Sequence, residues 1–221
     1  MNGGDFVYIN YVGRVKDTGE IFDLTIEDVA KKENLFKSDF NYGPVPVVVD
    51  ANFVLPGLND ALKEMKVGEK RTVKIPVEKA FGQRSAELVK LIPESALKSQ
   101  NIDATPGTFV TINRIKGRII SNDGGRVKID FNHPLAGKTL EYEMEVFSEI
   151  KDTVEKVKAM AYFFTGLGKD KIDAGVEDKD AEITINEKVD VPRDVKGNIA
   201  DSIIKWVQGI ERVKFVEIFE K

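Results

Sequence analysis

The stretch "FNHPLAGKTLEYEMEV", residues 131–146, decides the fold. Its second half alternates strictly. Leu140, Tyr142, Met144 and Val146 take one parity and Thr139, Glu141, Glu143 and Glu145 the other, the period of a strand with one face buried and one in water. Its first half carries His133, the only histidine of the chain, directly before Pro134, so the strand is entered through a proline turn. A half-buried strand needs partners, and the early part of the chain supplies them. "FVYINYVGRV" at 6–15 is rich in β-branched and aromatic residues and sets Val7, Ile9 and Tyr11 on one face.

Working outward, "VPVVV" at 45–49 and "KRTVKIP" at 70–76, with Val73 and Ile75 inward, read as further strands. Between them, Leu58, Ala61, Leu62 and Met65 fall at helical spacing, Pro56 suits a helix start, and "VGE" at 67–69 ends it in a turn. This is a curled sheet about one short helix. From about residue 84 the texture changes to a short helix at 93–100, a strand "TFVTINRI" at 108–115 and a hairpin at 117–131 turned by Asp123, Gly124 and Gly125. The last part reads helix, strand, helix, strand. Val154, Val157, Ala161 and Phe164 mark the first helix; Ile199, Ile203, Trp206, Val207 and Ile210 mark the second. A charged loop, 168–180, is expected before the strand "AEITI" at 181–185. The final strand, "RVKFVEIFE" at 212–220, sets Val213, Phe215 and Phe219 opposite Val216 and Ile218, so both faces should be covered. A homodimer through the C-terminal part is one way to cover them.

Composition narrows the chemistry. The 221 residues, 42% hydrophobic, suffice for real cores. With no cysteine there is no disulfide, thiolate nucleophile or sulfur-based zinc site. The 33 basic and 37 acidic residues give a net charge of −4 and announce no basic face for nucleic acid. No apolar run approaches the roughly 18 residues of a membrane span and no signal peptide opens the chain, so a cytoplasmic protein without membrane contact is expected. Phosphate cradles, nucleophile elbows, zinc-protease helices and calcium loops are absent from the sequence, and no metal or cofactor is expected. The acidic run Glu177, Asp178 and Asp180 reads as a solvated surface. His133, between a strand and a proline turn, suits a hydrogen bond to local backbone better than acid–base work.

Taken in order, "YVG" at 11–13, "FDLT" at 22–25, "VLPGL" at 54–58, "KAFG" at 79–82 and "LEYEMEV" at 140–146 resemble the FKBP family of peptidyl-prolyl cis-trans isomerases. The pairing of "AFGQR" with "FNHPLAG" is similar to the archaeal long type related to SlyD, in which a second domain is inserted in the flap. The resemblance implies an α+β architecture: an FKBP-like antiparallel sheet curled around a short helix, a small β-rich inserted domain and a C-terminal α/β domain. The expected boundaries are 1–83 and 130–150 for the isomerase domain, 84–129 for the insert and 151–221 for the C-terminal domain.

The function so implied is prolyl isomerisation with chaperone activity towards unfolded, proline-containing polypeptides. Tyr11, Asp23, Leu55, Phe81 and Tyr142 are implied as catalytic, with Phe22, Val45, Val54 and Leu58 lining the pocket and Leu91, Ile92 and Phe109 capturing clients in the insert. From the residues alone, each apolar member of the pocket reads as core, and only the ordered set of motifs favours the pocket. Leu58 stands where relatives often carry tryptophan, Phe81 where a tyrosine is common and Val45 where a phenylalanine is frequent. These departures leave macrolide binding open, and with it a non-catalytic binding scaffold with a degenerate pocket. SlyD's metal-binding tail does not carry over, since nothing like it exists in this sequence.

Overall fold

A computed structural model describes residues 1–186 and 189–217. In chain order the elements are β1 Phe6–Val15, β2 Ile21–Leu24, α1 Glu27–Lys32, β3 Val45–Val48, α2 Pro56–Glu64, β4 Lys70–Ile75, β5 Val89–Pro93, α3 Glu94–Lys98, β6 Phe109–Ile112, β7 Ile115–Asp123, β8 Arg126–Asp130, β9 Leu140–Glu149, α4 Thr153–Thr165, β10 Ile172–Glu177, β11 Asp180–Ile185, α5 Arg193–Trp206 and β12 Arg212–Val216. They form two compact units, one of Met1–Ile75 with Leu140 onward and one of Pro76–Thr139.

In the first unit an antiparallel sheet runs β2-β1-β9-β4, and β3 shares the β2 edge of β1. β1 is long enough to take β3 along Phe6–Ile9 and β2 along Val12–Arg14, while β9 pairs with its other edge from Val7 to Val15. Alternation along β1 assigns its two faces to different work. Val7, Ile9, Tyr11 and Gly13 share one face. On the other, Phe6 joins Val48 and Ile150 in a core with α4 and α5, and Val12 packs with Leu24 and Ala30. Besides the face of Val7, Ile9 and Tyr11 read from the sequence, β1 therefore has a second covered face, met by the C-terminal helices and α1.

Helix α2 begins at Pro56, whose missing N–H costs nothing in the first turn. It buries Leu58, Ala61 and Leu62. Gly57 sits so close to β4 that a Cβ there would meet Ile75 Cγ2 at 2.5 Å. Beyond β9, Asp152 caps α4 by accepting the Glu155 N–H at 2.9 Å, and Gly166 closes the helix in the left-handed region. The segment expected as a charged loop contains β10. Ile172, Ala174 and Val176 alternate with Asp173, Gly175 and Glu177, and the strand pairs antiparallel with β11 across a turn at Asp178. The charges had masked a period of two. β12 lies parallel to β11 after the α5 crossover, and its Val213 and Phe215 pack on the core of α4 and α5. Ile218 and Phe219, expected on this strand, lie outside the described residues.

The second unit is an antiparallel sheet ordered β5-β8-β7-β6. Leu97, Ala104, Val110, Ile119, Val127 and Ile129 form its core. Gly117 admits Phe131 and Ile129, which stand within 2.8 Å of where its Cβ would be. The single strand expected over 108–115 is a hairpin. Asn113 and Arg114 both take positive φ, 50° and 66°, the two-residue turn whose twist matches antiparallel strands. The compact unit reaches past the expected insert of 84–129 at both ends.

At Gly57, two effects oppose. Alanine is the better helix former by about 1 kcal/mol, yet overpacking against Ile75 costs about 1–3 kcal/mol. Gly57→Ala should lower the unfolding free energy in urea, and Ile75→Ala in the same chain should erase most of that difference.

Candidate active site

Four side chains of the first unit meet on the face of the sheet that carries Tyr11 and Gly13. The register places Asp23 of β2, Gly13 of β1, Tyr142 of β9 and Val73 of β4 in one row across the sheet. Directly paired residues share a face, so the row presents a carboxylate, a gap and a phenol side by side. The gap is required. A Cβ on Gly13 would lie 2.9 Å from Phe22 Cζ and 2.9 Å from Tyr142 Cε1, so only glycine lets both rings lean over the strand.

Phe22 and Asp23 are neighbours in sequence, and strict alternation would send them to opposite faces. A bulge prevents that. Gly13 pairs with Asp23 and Arg14 with Ile21, which leaves Phe22 as the extra residue of β2. Both side chains then reach the same cluster. The Phe22 ring meets Tyr142 edge-on at 5.7 Å, and the Asp23 carboxylate accepts the Tyr11 hydroxyl hydrogen bond at 2.8 Å. Tyr11 and Tyr142 complete the group with centroids 5.6 Å apart, edge to face.

Thr25 fixes the strand behind Tyr11. Its buried hydroxyl accepts the Tyr11 N–H at 2.9 Å and donates to Asn10 Oδ1 at 3.1 Å, and its own N–H bonds the Tyr11 carbonyl at 3.0 Å. Burial first, then the Asp23 charge and hydrogen bond, push the Tyr11 hydroxyl well above the ordinary phenol value; burial and then the Asp23 charge do the same to Tyr142. Both phenols stay neutral, and Tyr11 stays a donor.

The other expected residues are placed as follows. Val45 pairs with Ile9, two residues from Tyr11 on the same face of β1. Val54 is half-buried ahead of α2. Leu55 caps α2, its carbonyl accepting from Leu58 and Asn59 at 2.9 and 3.0 Å, while its N–H has no partner among the described residues. Leu58 is 4% exposed, part of the core. Phe81 belongs to the second unit and stacks flat on His133, centroids 4.0 Å apart and planes 7° from parallel. His133 Nδ1 accepts the Leu135 N–H at 3.2 Å.

In the second unit Leu91 and Phe109 are open to solvent, 66% and 54% exposed, whereas Ile92 packs against the core of its own unit. Among the described residues, no group of three or more histidines or carboxylates could hold a metal, and no helix is long and apolar enough to cross a membrane. Gly13 and Thr25 are the positions shaping this cluster that residue chemistry alone does not point to. A glycine inside a β-branched strand, flanked by Val12 and Arg14, is the available signal.

Residues 1–147 match the family described as FKBP-type peptidyl-prolyl cis-trans isomerase, and residues 153–220 match the family described as FKBP26_C-terminal. A short-type peptidyl-prolyl cis-trans isomerase of Methanocaldococcus jannaschii is 33% identical over 143 residues, covering 65% of this chain and 90% of that protein. A probable FKBP-type 16 kDa peptidyl-prolyl cis-trans isomerase of Pseudomonas fluorescens is 37% identical, over 58% of this chain and 89% of its own length. The SlyD isomerase of Treponema pallidum is 31% identical, over 71% of this chain and 82% of its own.

Two measurements probe the cluster. Gly13→Ala should cost about 1–3 kcal/mol of stability through overpacking and should change the aromatic circular dichroism, which surface glycine substitutions would leave alone. Because the folded phenols of Tyr11 and Tyr142 are raised above the ordinary value of 10.0, the folded state prefers them protonated. Their contribution is complete below pH 10 and is lost as the pH climbs from there towards the folded values. Phenolate absorbance should therefore show these two tyrosines ionising only together with unfolding.

Proposed function

Because the chain belongs to the FKBP-type peptidyl-prolyl cis-trans isomerase family, we propose that the Tyr11, Phe22, Asp23 and Tyr142 cluster twists X–Pro bonds while the inserted unit holds unfolded clients. The obstacle in this reaction is electronic. Rotation breaks amide resonance against a barrier of about 18–20 kcal/mol, and no bond to the enzyme is required. A wall of neutral aromatic rings disfavours the planar amide, which water solvates well, relative to the twisted one with its smaller charge separation. Each tenfold gain in rate needs about 1.4 kcal/mol of that preference.

The polar groups have matching tasks. The N–H of Leu55, without a partner among the described residues, can hold a substrate carbonyl at the start of α2, where the helix dipole adds to its pull. Asp23, fixed by the Tyr11 hydroxyl, orients the bond that rotates. Val45, Val54 and Leu58 support the apolar wall. No group in this scheme has to gain or lose a proton.

The single observation that carries the proposal is the bulge on β2, which brings Phe22 and Asp23 to one cluster with both tyrosines. The capture role rests on the solvent-facing Leu91 and Phe109, with the isomerase domain at 1–83 and 130–150, the insert at 84–129 and the C-terminal domain at 151–221 as the working division. The C-terminal match beside the isomerase match supports the long-type arrangement.

The test is the cis-to-trans rate of a short X–Pro peptide. Tyr11→Phe and Asp23→Ala should each lower kcat/KM about tenfold, equivalent to about 1.4 kcal/mol. The rate should show no alkaline limb below pH 10, since both phenols are raised above that value. Leu91→Ser with Phe109→Ser should slow catalysed refolding of a proline-limited protein at least tenfold more than peptide turnover. An intact protein that leaves the peptide rate unchanged would favour the non-catalytic scaffold.

A further inference from the structure

One face of the sheet β5-β8-β7-β6 is closed by the core of its unit, through Ile92, Val110, Ile119, Val127 and Ile129. Residues of the other parity form the opposite face. There Leu91 pairs with Lys128, and Phe109 with Arg118. The Lys116 ammonium lies 4.6 Å from the centroid of the Phe109 ring. Lys116, Arg118 and Lys128 are exposed, and none of them has an ion pair among the described residues. The carboxylate nearest them in register, Asp130 opposite Arg118, is already taken by Arg84 and Asn132.

The imbalance extends to the whole unit. Pro76–Thr139 holds ten lysines and arginines against six aspartates and glutamates, net +4, in a chain whose net charge is −4. A client strand laid over this face removes water from the cations together with the apolar side chains. Cations covered without partners lose hydration and gain nothing in return. Carboxylates among the apolar residues of the client supply those partners, and client lysines add repulsion.

We propose that this open face selects extended polypeptide segments in which acidic residues alternate with large apolar ones. The inference rests on the client-capture role proposed above and names its substrate class. A single-stranded nucleic acid would meet the same cations, but its phosphates would also lie against Leu91, and the face offers Phe109 as its one aromatic platform.

The test uses the full chain and three labelled, proline-free peptides with the same Leu/Phe skeleton, alternating with Glu, Ser or Lys, measured by fluorescence anisotropy. Three exposed charge pairs are worth about tenfold in affinity together, so the Glu peptide should bind about tenfold more tightly than the Ser peptide, and the Lys peptide most weakly. The ranking should flatten at about 0.5 M salt, where the screening length falls towards ~4 Å. K116E/R118E/K128E should invert it. Equal affinities in the intact protein, or a preference for the Lys peptide, would overturn the charge selection and leave client capture standing. Failure of all three peptides to bind would overturn both. An oligothymidine that binds as tightly as the Glu peptide would also overturn the proposal, because charge alone would then be read.

Discussion

The structure depends on β1 being committed on both edges and both faces. One edge is taken along almost its whole length by β9, the other is divided between β3 and β2. One face looks to the aromatic cluster, and the other supplies Phe6 to the C-terminal core and Val12 to the contact with Leu24 and Ala30. A strand fixed in this way cannot slip, because a shift of one residue would exchange Tyr11 and Gly13 for Val12 and move every side chain to the wrong layer. The site inherits that rigidity. Tyr11 is held through its backbone by Thr25 and through its hydroxyl by Asp23, so neither ring position nor donor direction is left to the side chain's own rotamers.

Two local exceptions to regular strand geometry turn this frame into a site. The bulge at Phe22 breaks the alternation of β2, and Gly13 opens a hole in β1 of the size of one methyl group. Either alone would give little. Without the bulge, Phe22 would face away from Tyr142; without the glycine, both rings would be pushed off the sheet. Together they set three aromatic rings around one carboxylate. Neutrality of the phenols follows from the same packing, since rings buried beside a negative charge hold their protons.

Much of this was legible in the sequence, for identifiable reasons. β9 alternates without interruption from Leu140 to Val146, and α2 repeats its apolar residues at helical spacing, so tertiary contacts only reinforce the local pattern. β10 was hidden because its outward positions are Asp173, Gly175 and Glu177, which look like loop chemistry until the inward Ile172, Ala174 and Val176 are counted. The turn at Asn113 and Arg114 was hidden because arginine rarely takes positive φ, so the hairpin rests on pairing across β6 and β7. At the site, motif order pointed to Tyr11, Asp23 and Tyr142. The bulge that adds Phe22 to them is a matter of register, which no residue type announces.

His133 does in the structure what its place before a proline turn suggested, bonding local backbone. A lone histidine before a proline invites an acid–base role, and its chemistry is available near neutral pH. In the structure its ring lies flat against Phe81 and Nδ1 accepts the Leu135 N–H, while its own carbonyl receives the Ala136 N–H at 2.9 Å. One ring nitrogen and one face are thereby spent on holding the turn through which the chain enters β9. Further along the chain, Leu140 opens β9 by pairing with Val15 and Ile75. From Leu140 the position of Tyr142 follows, two residues on and opposite Gly13. The contacts of the histidine are thus local to its own turn, where a flat ring against Phe81 and one accepted N–H call for shape and a lone pair.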